Sequence, residues 1–509
     1  MNWYRLLMMF VLAVTATDRV FVASDTVRVD GGQIAGTASN GIRVFKGIPF
    51  AAPPTGELRW KPPQPVVAWS GVKAADAFAP QCMQLPYPAG SAYASAPTPT
   101  SEDCLYLNVW TAANTREKRP VMVWIHGGAW TRGSGSSSWY NGASLAKKGV
   151  VLVTVNYRLG PLGFLAHPQL TAESPQHASG NYGILDNIAA LQWVQRNIAA
   201  FGGDPKRVTI VGESAGSWSV HTLQATPLAR GLFHRAIGES GARSERTTVL
   251  ADAEKGGVAF ARALGADSLT ALRAMPAERL VALPLWNTTV NVDGWVLPDQ
   301  MRNIFAQQKH SKVPVLIGSN ANEMSTLIDP RTLPASMDNF RKYIDARFPG
   351  MAEEFAVAYP ATRDADIADA LLGVLRDETF TLPMRTWARM VSAGGENAFL
   401  YQFTRVPPGP NPKWGAYHAS EIVYAFNNVA SQSWVQPPDT RLADQMSAYW
   451  VNFAVTGNPN GSGLPTWPAY DASIEPYLDL GDTVRQRTHL LKAQLDFLEH
   501  AQRRRSAPQ

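Results

Sequence analysis

The chain has 509 residues, of which 45% are hydrophobic and 17% charged, with 40 glycines and 37 prolines. That composition excludes a fibrous, low-complexity or disordered chain and leaves apolar side chains for a large core. At about 150 residues per domain, length alone would suggest several domains. The net charge of +5 is small and spread out. Its one dense cluster, Arg503-Arg504-Arg505, reads as a solvated helix end, so no nucleic-acid partner is expected.

The chain opens with Arg5 and an apolar run, Leu6 to Ala16, followed by small residues at Ala16 and at Ala23-Ser24. This pattern predicts an export signal over residues 1–24 and a secreted or periplasmic protein. The run is shorter than the about 20 apolar residues of a membrane span, and no later stretch reaches that length, so no stable membrane insertion is expected. Cys82 and Cys104 are the two cysteines. In an exported chain they are consistent with one disulfide closing a Pro/Ser/Ala-rich segment that holds Tyr87 and Tyr93, the alternative being two buried thiols.

Val121–His126 and Val150–Asn156 are continuous apolar runs, as expected of strands buried on both faces. Ile184, Ile188, Leu191, Val194 and Ile198 then mark one helix face, which stops near Phe201-Gly202-Gly203. After an Asp204-Pro205 turn, Arg207–Gly212 reads as the next strand, which completes a parallel crossover unit. Val313–Gly318 and Ala398–Phe403 are further strands. Ser244–Lys312 and Asp329–Gly395 read as short amphipathic helices inserted on one sheet. A helix is expected around Gln445–Val455, stopped by Thr456-Gly457-Asn458-Pro459, and a last helix over residues 488–506.

Gly212-Glu213-Ser214-Ala215-Gly216 matches G-x-S-x-G between that strand and a helix-competent stretch. A serine on such a sharp turn stands clear of the sheet, and the helix N-terminus favours negative charge beside it. Ser214 is therefore the candidate nucleophile, and it needs a base. With the order Ser, acid, His, five of the nine histidines fall too early. His310 reads as part of a solvated basic turn, and His489 and His500 as part of the polar last helix. His418, on a loop beside Glu421-Ile422-Val423-Tyr424, remains. Glu323 follows the strand Val313–Gly318, where open α/β sheets place their sites, with Asp293 and Asp329 as rivals better suited to ordinary turns. His126-Gly127-Gly128-Ala129 is a small-residue turn after a strand, able to aim backbone N–H groups at one oxygen, and Ala215 supplies another.

Further motifs join these. They are Phe45-Lys46-Gly47-Ile48-Pro49-Phe50-Ala51, Leu58-Arg59-Trp60, Ser101-Glu102-Asp103-Cys104-Leu105-Tyr106-Leu107-Asn108, Asn181-Tyr182-Gly183 and Asn452-Phe453-Ala454. With the elbow they resemble, in order and over most of the chain, the type-B carboxylesterase/cholinesterase-like family. The resemblance implies an α/β-hydrolase fold, a central mostly parallel sheet flanked by helices, with helical insertions over the active site. It implies Ser214 as nucleophile, Glu323 as acid, His418 as base, and oxyanion donors at Gly128, Ala129 and Ala215. Ala129 stands where many members have glycine. The resemblance also implies a Cys82–Cys104 bridge, Ser240 and Glu421 as a pair supporting the site from behind, and an Arg59–Glu102 ion pair. Choline-binding members carry a tryptophan between the cysteines and this chain has none, so a cholinesterase is not expected. Trp130, Trp139 and Trp218 flank the motifs, either as pocket wall or as packing beneath it.

The reading is thus a secreted serine carboxylic-ester hydrolase. One α/β-hydrolase domain is expected over residues 25–509, because the candidate site spans Gly128 to His418. No metal motif or phosphate loop is present, so no cofactor is expected. A small-molecule ester is the expected partner. A lipase, a specialised detoxifying or polyester-degrading esterase, and a non-catalytic adhesion module are the alternatives.

Overall fold

A computed structural model describes residues 26–94, 98–243, 246–284, 288–409 and 411–506. The expected export signal lies outside these residues. The core is an 11-stranded sheet. In chain order its strands are β1 (Thr37–Ser39), β2 (Ile42–Pro49), β3 (Tyr106–Thr111), β4 (Arg119–Ile125), β5 (Val151–Val155) and β6 (Gly203–Glu213), then β7 (Arg235–Glu239), β8 (Val315–Asn320), β9 (Ala398–Phe403), β10 (Pro476–Leu480) and β11 (Val484–Thr488). Across the sheet the order is β11-β10-β9-β8-β7-β6-β4-β5-β3-β2-β1. Every pairing from β5 through β4 to β10 is parallel, and the two edges are antiparallel. This is the mostly parallel α/β-hydrolase sheet expected.

Burial on both faces explains the continuous apolar runs. In β4, Val121, Val123 and Ile125 face one layer with Ile184, Leu191 and Val194 of the helix Tyr182–Asn197. Met122 and Trp124 face the other layer, with Leu442, Met446, Tyr449, Trp450 and Phe453 of the helix Pro437–Thr456. The period-two alternation of a strand therefore feeds two cores at once.

Several boundaries shift for local reasons. Asp204-Pro205 is not a turn ahead of the strand; it lies inside β6, at a register irregularity between Gly203 and Val208. The helix expected from Gln445 begins earlier, at Pro437, because proline is tolerated in a first helical turn, where its missing N–H is no loss. It ends at Gly457, whose φ of 81° provides the left-handed stop. Residues 488–506 split into the end of β11 and a helix, Lys492–Ser506, so His489 precedes that helix and only His500 lies in it. His310 is not solvated either: it is buried and stacks on Phe305 at 4.2 Å. The disulfide Cys82–Cys104 is formed. Arg59 pairs with Glu102 through Nε and Oε2 at 2.7 Å and also donates to the carbonyls of Leu272, Arg273 and Met275, which pins the first insertion to the N-terminal region. Among the described residues no helix is long and apolar enough to cross a membrane.

Candidate active site

Strand β6 delivers Ser214 at its C-terminal end, and the helix Ala215–Ala225 begins on the next residue. Ser214 has φ 55° and ψ −123°, a sparsely populated conformation for a residue with a side chain. Neighbours hold it there: its N–H donates to Glu239 O at 2.8 Å and its carbonyl accepts from Trp218 N at 2.9 Å. Close approach explains the flanking glycines. A Cβ on Gly216 would stand 2.0 Å from Ile125 O, and one on Gly212 would stand 2.4 Å from the Gly216 carbonyl carbon. Ser214 is only 8% exposed, with the positive end of the helix beneath it.

The turn after β4 carries the other candidate donors. Gly128, Ala129 and Trp130 have φ of 103°, 54° and 56° in succession. Gly128 O accepts from both Thr131 N and Arg132 N at 3.0 Å, which closes the turn. The left-handed φ at Ala129 is the physical reason a glycine suits this position, since a Cβ there adds strain. His126 supports the turn from below. It stacks on Tyr157 at 4.4 Å, and its carbonyl accepts from the Tyr157 hydroxyl at 2.7 Å. Burial pushes the His126 imidazole down to about 4, so it is neutral.

Glu323 and His418 meet although they lie 95 residues apart in sequence: His418 Nδ1 is 2.6 Å from Glu323 Oε2. Glu323 Oε1 accepts from Asn320 N at 2.7 Å. The carboxylate partner assigns the proton to Nδ1 and leaves the Nε2 lone pair open. The two loops are stitched side by side. Asn322 N donates to Ala416 O, Ala416 N donates to Asn322 Oδ1, and Asn320 Nδ2 donates to Tyr417 O at 2.8 Å. The rivals sit in turns, as expected: Asp293 accepts from Trp295 N and Leu297 N, and Asp329 from Arg331 N.

Two features escaped the sequence. The first is a pair of buried carboxyls, Glu213 and Glu239, that join the expected Glu421. Glu213 Oε1 lies 3.1 Å from His418 Nε2, too poorly aligned for a hydrogen bond. Glu213 is directly opposite Glu239 in the β6–β7 register, and Glu239 accepts from Trp450 Nε1 at 2.8 Å. Burial, then the charges of Glu323 and Glu239, pushes the Glu213 carboxyl well above the usual range. Burial pushes Glu239 up to about 8. Glu421 is likewise raised, by burial first and then by its three glutamate neighbours. Glu421 Oε2 accepts from Asn320 Nδ2, so it braces the loop that carries Glu323. No hydrogen bond links it to Ser240, whose hydroxyl is buried and meets no protein partner. The signal for Glu213 was its place inside the motif, an acid in an otherwise apolar buried strand.

The second feature is an aromatic contact on the base. Phe380 tilts against His418 with centroids 4.9 Å apart and lies parallel to Trp218 at 6.5 Å. It stands in a short stretch of wider helix, Asp377–Thr381, a bulge of the kind found where a helix must re-aim a side chain. Arg376, next to it, donates to Ala321 O at 2.9 Å and ties the second insertion to the acid's loop. Trp218 is half-buried, and its Nε1 donates to Ala242 O at 3.0 Å. Trp130 is buried packing whose Nε1 donates to Ser219 Oγ at 2.9 Å.

Residues 23–498 match the family described as "Carboxylesterase family". The chain is 38% identical over 453 residues to a protein of Sphingopyxis macrogoltabida named fumonisin B1 esterase, covering 84% of this chain and 82% of that one. It is 35% identical over 476 residues to the para-nitrobenzyl esterase of Bacillus subtilis (strain 168), covering 89% and 94%. A solved carboxylesterase of Geobacillus stearothermophilus superposes with a TM-score of 0.82 at 34% identity, over 93% of this chain and 99% of that one. With these likenesses spanning sheet, site and insertions alike, the chain belongs to the carboxylesterase family and is a carboxylic-ester hydrolase.

Proposed function

We propose that Ser214, Glu323 and His418 carry out ester hydrolysis through an acyl-enzyme. His418 Nε2 takes the Ser214 proton as Oγ attacks the ester carbonyl. Glu323 holds the ring in the tautomer that leaves Nε2 basic and stabilises the imidazolium once it forms. The oxyanion is received by the N–H groups of Gly128, Ala129 and Ala215. Collapse expels the alcohol, which takes its proton from His418. Water then repeats the cycle on the acyl group, giving the carboxylic acid and free Ser214. The observation that carries this reading is the Glu323–His418 bond, on loops at the C-terminal ends of β8 and β9, the end of the sheet at which β6 presents Ser214. Ser214→Ala should abolish turnover of a generic aryl ester with folding intact; undiminished turnover sinks the reading.

The protein acts outside the cytoplasm in this proposal, after removal of residues 1–24. The N-terminal sequence of the exported protein, starting after Ala16 or near Ala23, tests this. A specialised detoxifying esterase is the second reading, favoured by the 38% identity to the protein named fumonisin B1 esterase. Fumonisin B1 assayed beside an aryl-ester chain-length series separates the two.

A further inference from the structure

The loop closed by the disulfide touches both halves of the candidate site. Its ends pair as short strands, Gln81–Cys82 with Thr100–Ser101. At one end Gln84 reads the backbone of the oxyanion turn. Its Oε1 accepts from Gly133 N at 2.7 Å and its Nε2 donates to Gly133 O at 2.8 Å. Arg132, in the same turn, donates to Pro86 O and lies 5.7 Å from the Tyr87 ring. A Cβ on Gly128 would come within 2.9 Å of the Tyr87 hydroxyl, so the loop lies directly against this turn. At the other end the Tyr93 hydroxyl donates to His418 O at 3.1 Å and shares a 2.7 Å bond with Thr326 Oγ1, three residues after Glu323. The Tyr93 ring meets the His418 imidazole edge-on at 6.4 Å. One phenol therefore bridges the base's backbone and the acid's loop.

We propose that this loop is a positioning strap. Tyr93 holds His418 in register with Glu323 and Ser214, Gln84 holds the oxyanion turn, and the Cys82–Cys104 bond closes the loop that carries both. Neither residue touches the reacting atoms. Both act through the groups they hold, and a base or donor displaced by as little as an ångström loses rate steeply. The proposal rests on the catalytic reading above.

Tyr93→Phe keeps the ring and removes only the bridging hydroxyl. Gln84→Met keeps the length and removes both backbone bonds. Each should lower kcat on an aryl ester by about tenfold while KM moves less than about twofold, since positioning acts on the chemical step and not on ground-state binding. Thr326→Val should give a smaller loss, because Tyr93 keeps the His418 carbonyl. Either of the first two variants retaining kcat within about twofold of wild type overturns its end of the strap. A loss carried in KM instead overturns it as well, since that makes the residue a substrate contact. Labelling of wild-type Ser214 by a fluorophosphonate separates the two levels. Labelling with unchanged variants sinks the strap alone, whereas no labelling sinks the catalytic reading and the strap with it.

Discussion

The nucleophile and the base are positioned by different means. Ser214 is held by backbone fit. The strand β6, the turn and the helix Ala215–Ala225 approach so closely that Gly212, Gly216 and Gly241 have no room for a Cβ, the last standing 2.3 Å from Ser214 O. Glu323 and His418 are held by side-chain bonds between two loops about a hundred residues apart, through Asn320, Asn322 and Tyr93. The first arrangement is steric and local; the second is polar and long-range. A change in the first should cost stability, and a change in the second should cost rate.

Glu323→Gln gives the largest effect. The amide can still accept from Asn320 N, but its NH2 would then face His418 Nδ1 and drive the proton to Nε2, where it blocks the uptake of the Ser214 proton. We expect kcat to fall by a factor on the order of 10³–10⁴ with thermal stability little changed, read by steady-state kinetics and calorimetry. A comparable fall in stability would break the comparison. Gly216→Ala is the converse. A methyl group 2.0 Å from Ile125 O should destabilise the protein by about 3 kcal/mol or more, read by denaturant unfolding. A stable, fully active variant would mean that the elbow is not sterically closed.

Smaller effects concern the buried carboxyls and the oxyanion turn. Glu239 is raised to about 8 in the folded protein, from the usual value of 4.5. Between those values the native state keeps a proton that the unfolded chain has released, so this group makes stability fall as pH rises, and the fall ends near pH 8. Glu239→Gln can still accept from Trp450 Nε1 and has nothing to ionise. Its stability relative to wild type should therefore grow from pH 5 to pH 8 and then level off. Urea midpoints across that range test the sign, and a flat difference contradicts the burial account. Ala129→Gly relieves a φ of 54° and should stabilise by at most about 1 kcal/mol, with kcat retained because the donor is backbone N–H.

The same contrast explains what the sequence revealed. The elbow was legible because its requirements are local: a strand, a serine, glycines two residues to either side. The sheet was legible because double burial writes continuous apolar runs, as in Val151–Val155 and Ala398–Phe403. His418 and Glu323 could be reached only by chain order, placement and family likeness, since the bond between them leaves no local mark. Glu213 lay inside the motif, yet its closeness to His418 Nε2 depends on a loop from another part of the chain. His310 was misread because the lysines around it suggest solvent, while Phe305, five residues earlier, buries it. Phe380 had no signal, and Tyr93 had only its place between the cysteines: a wider turn aims one, and a bond to a carbonyl 325 residues away places the other.

The central claim is that Ser214 is the nucleophile, served by the pair Glu323–His418. Mass spectrometry of the protein after reaction with a fluorophosphonate tests it most directly. One adduct per chain is expected, on the peptide carrying Ser214, and formed at a greatly reduced rate in Glu323→Gln. An adduct on another residue, or undiminished labelling in Ser214→Ala, would contradict it.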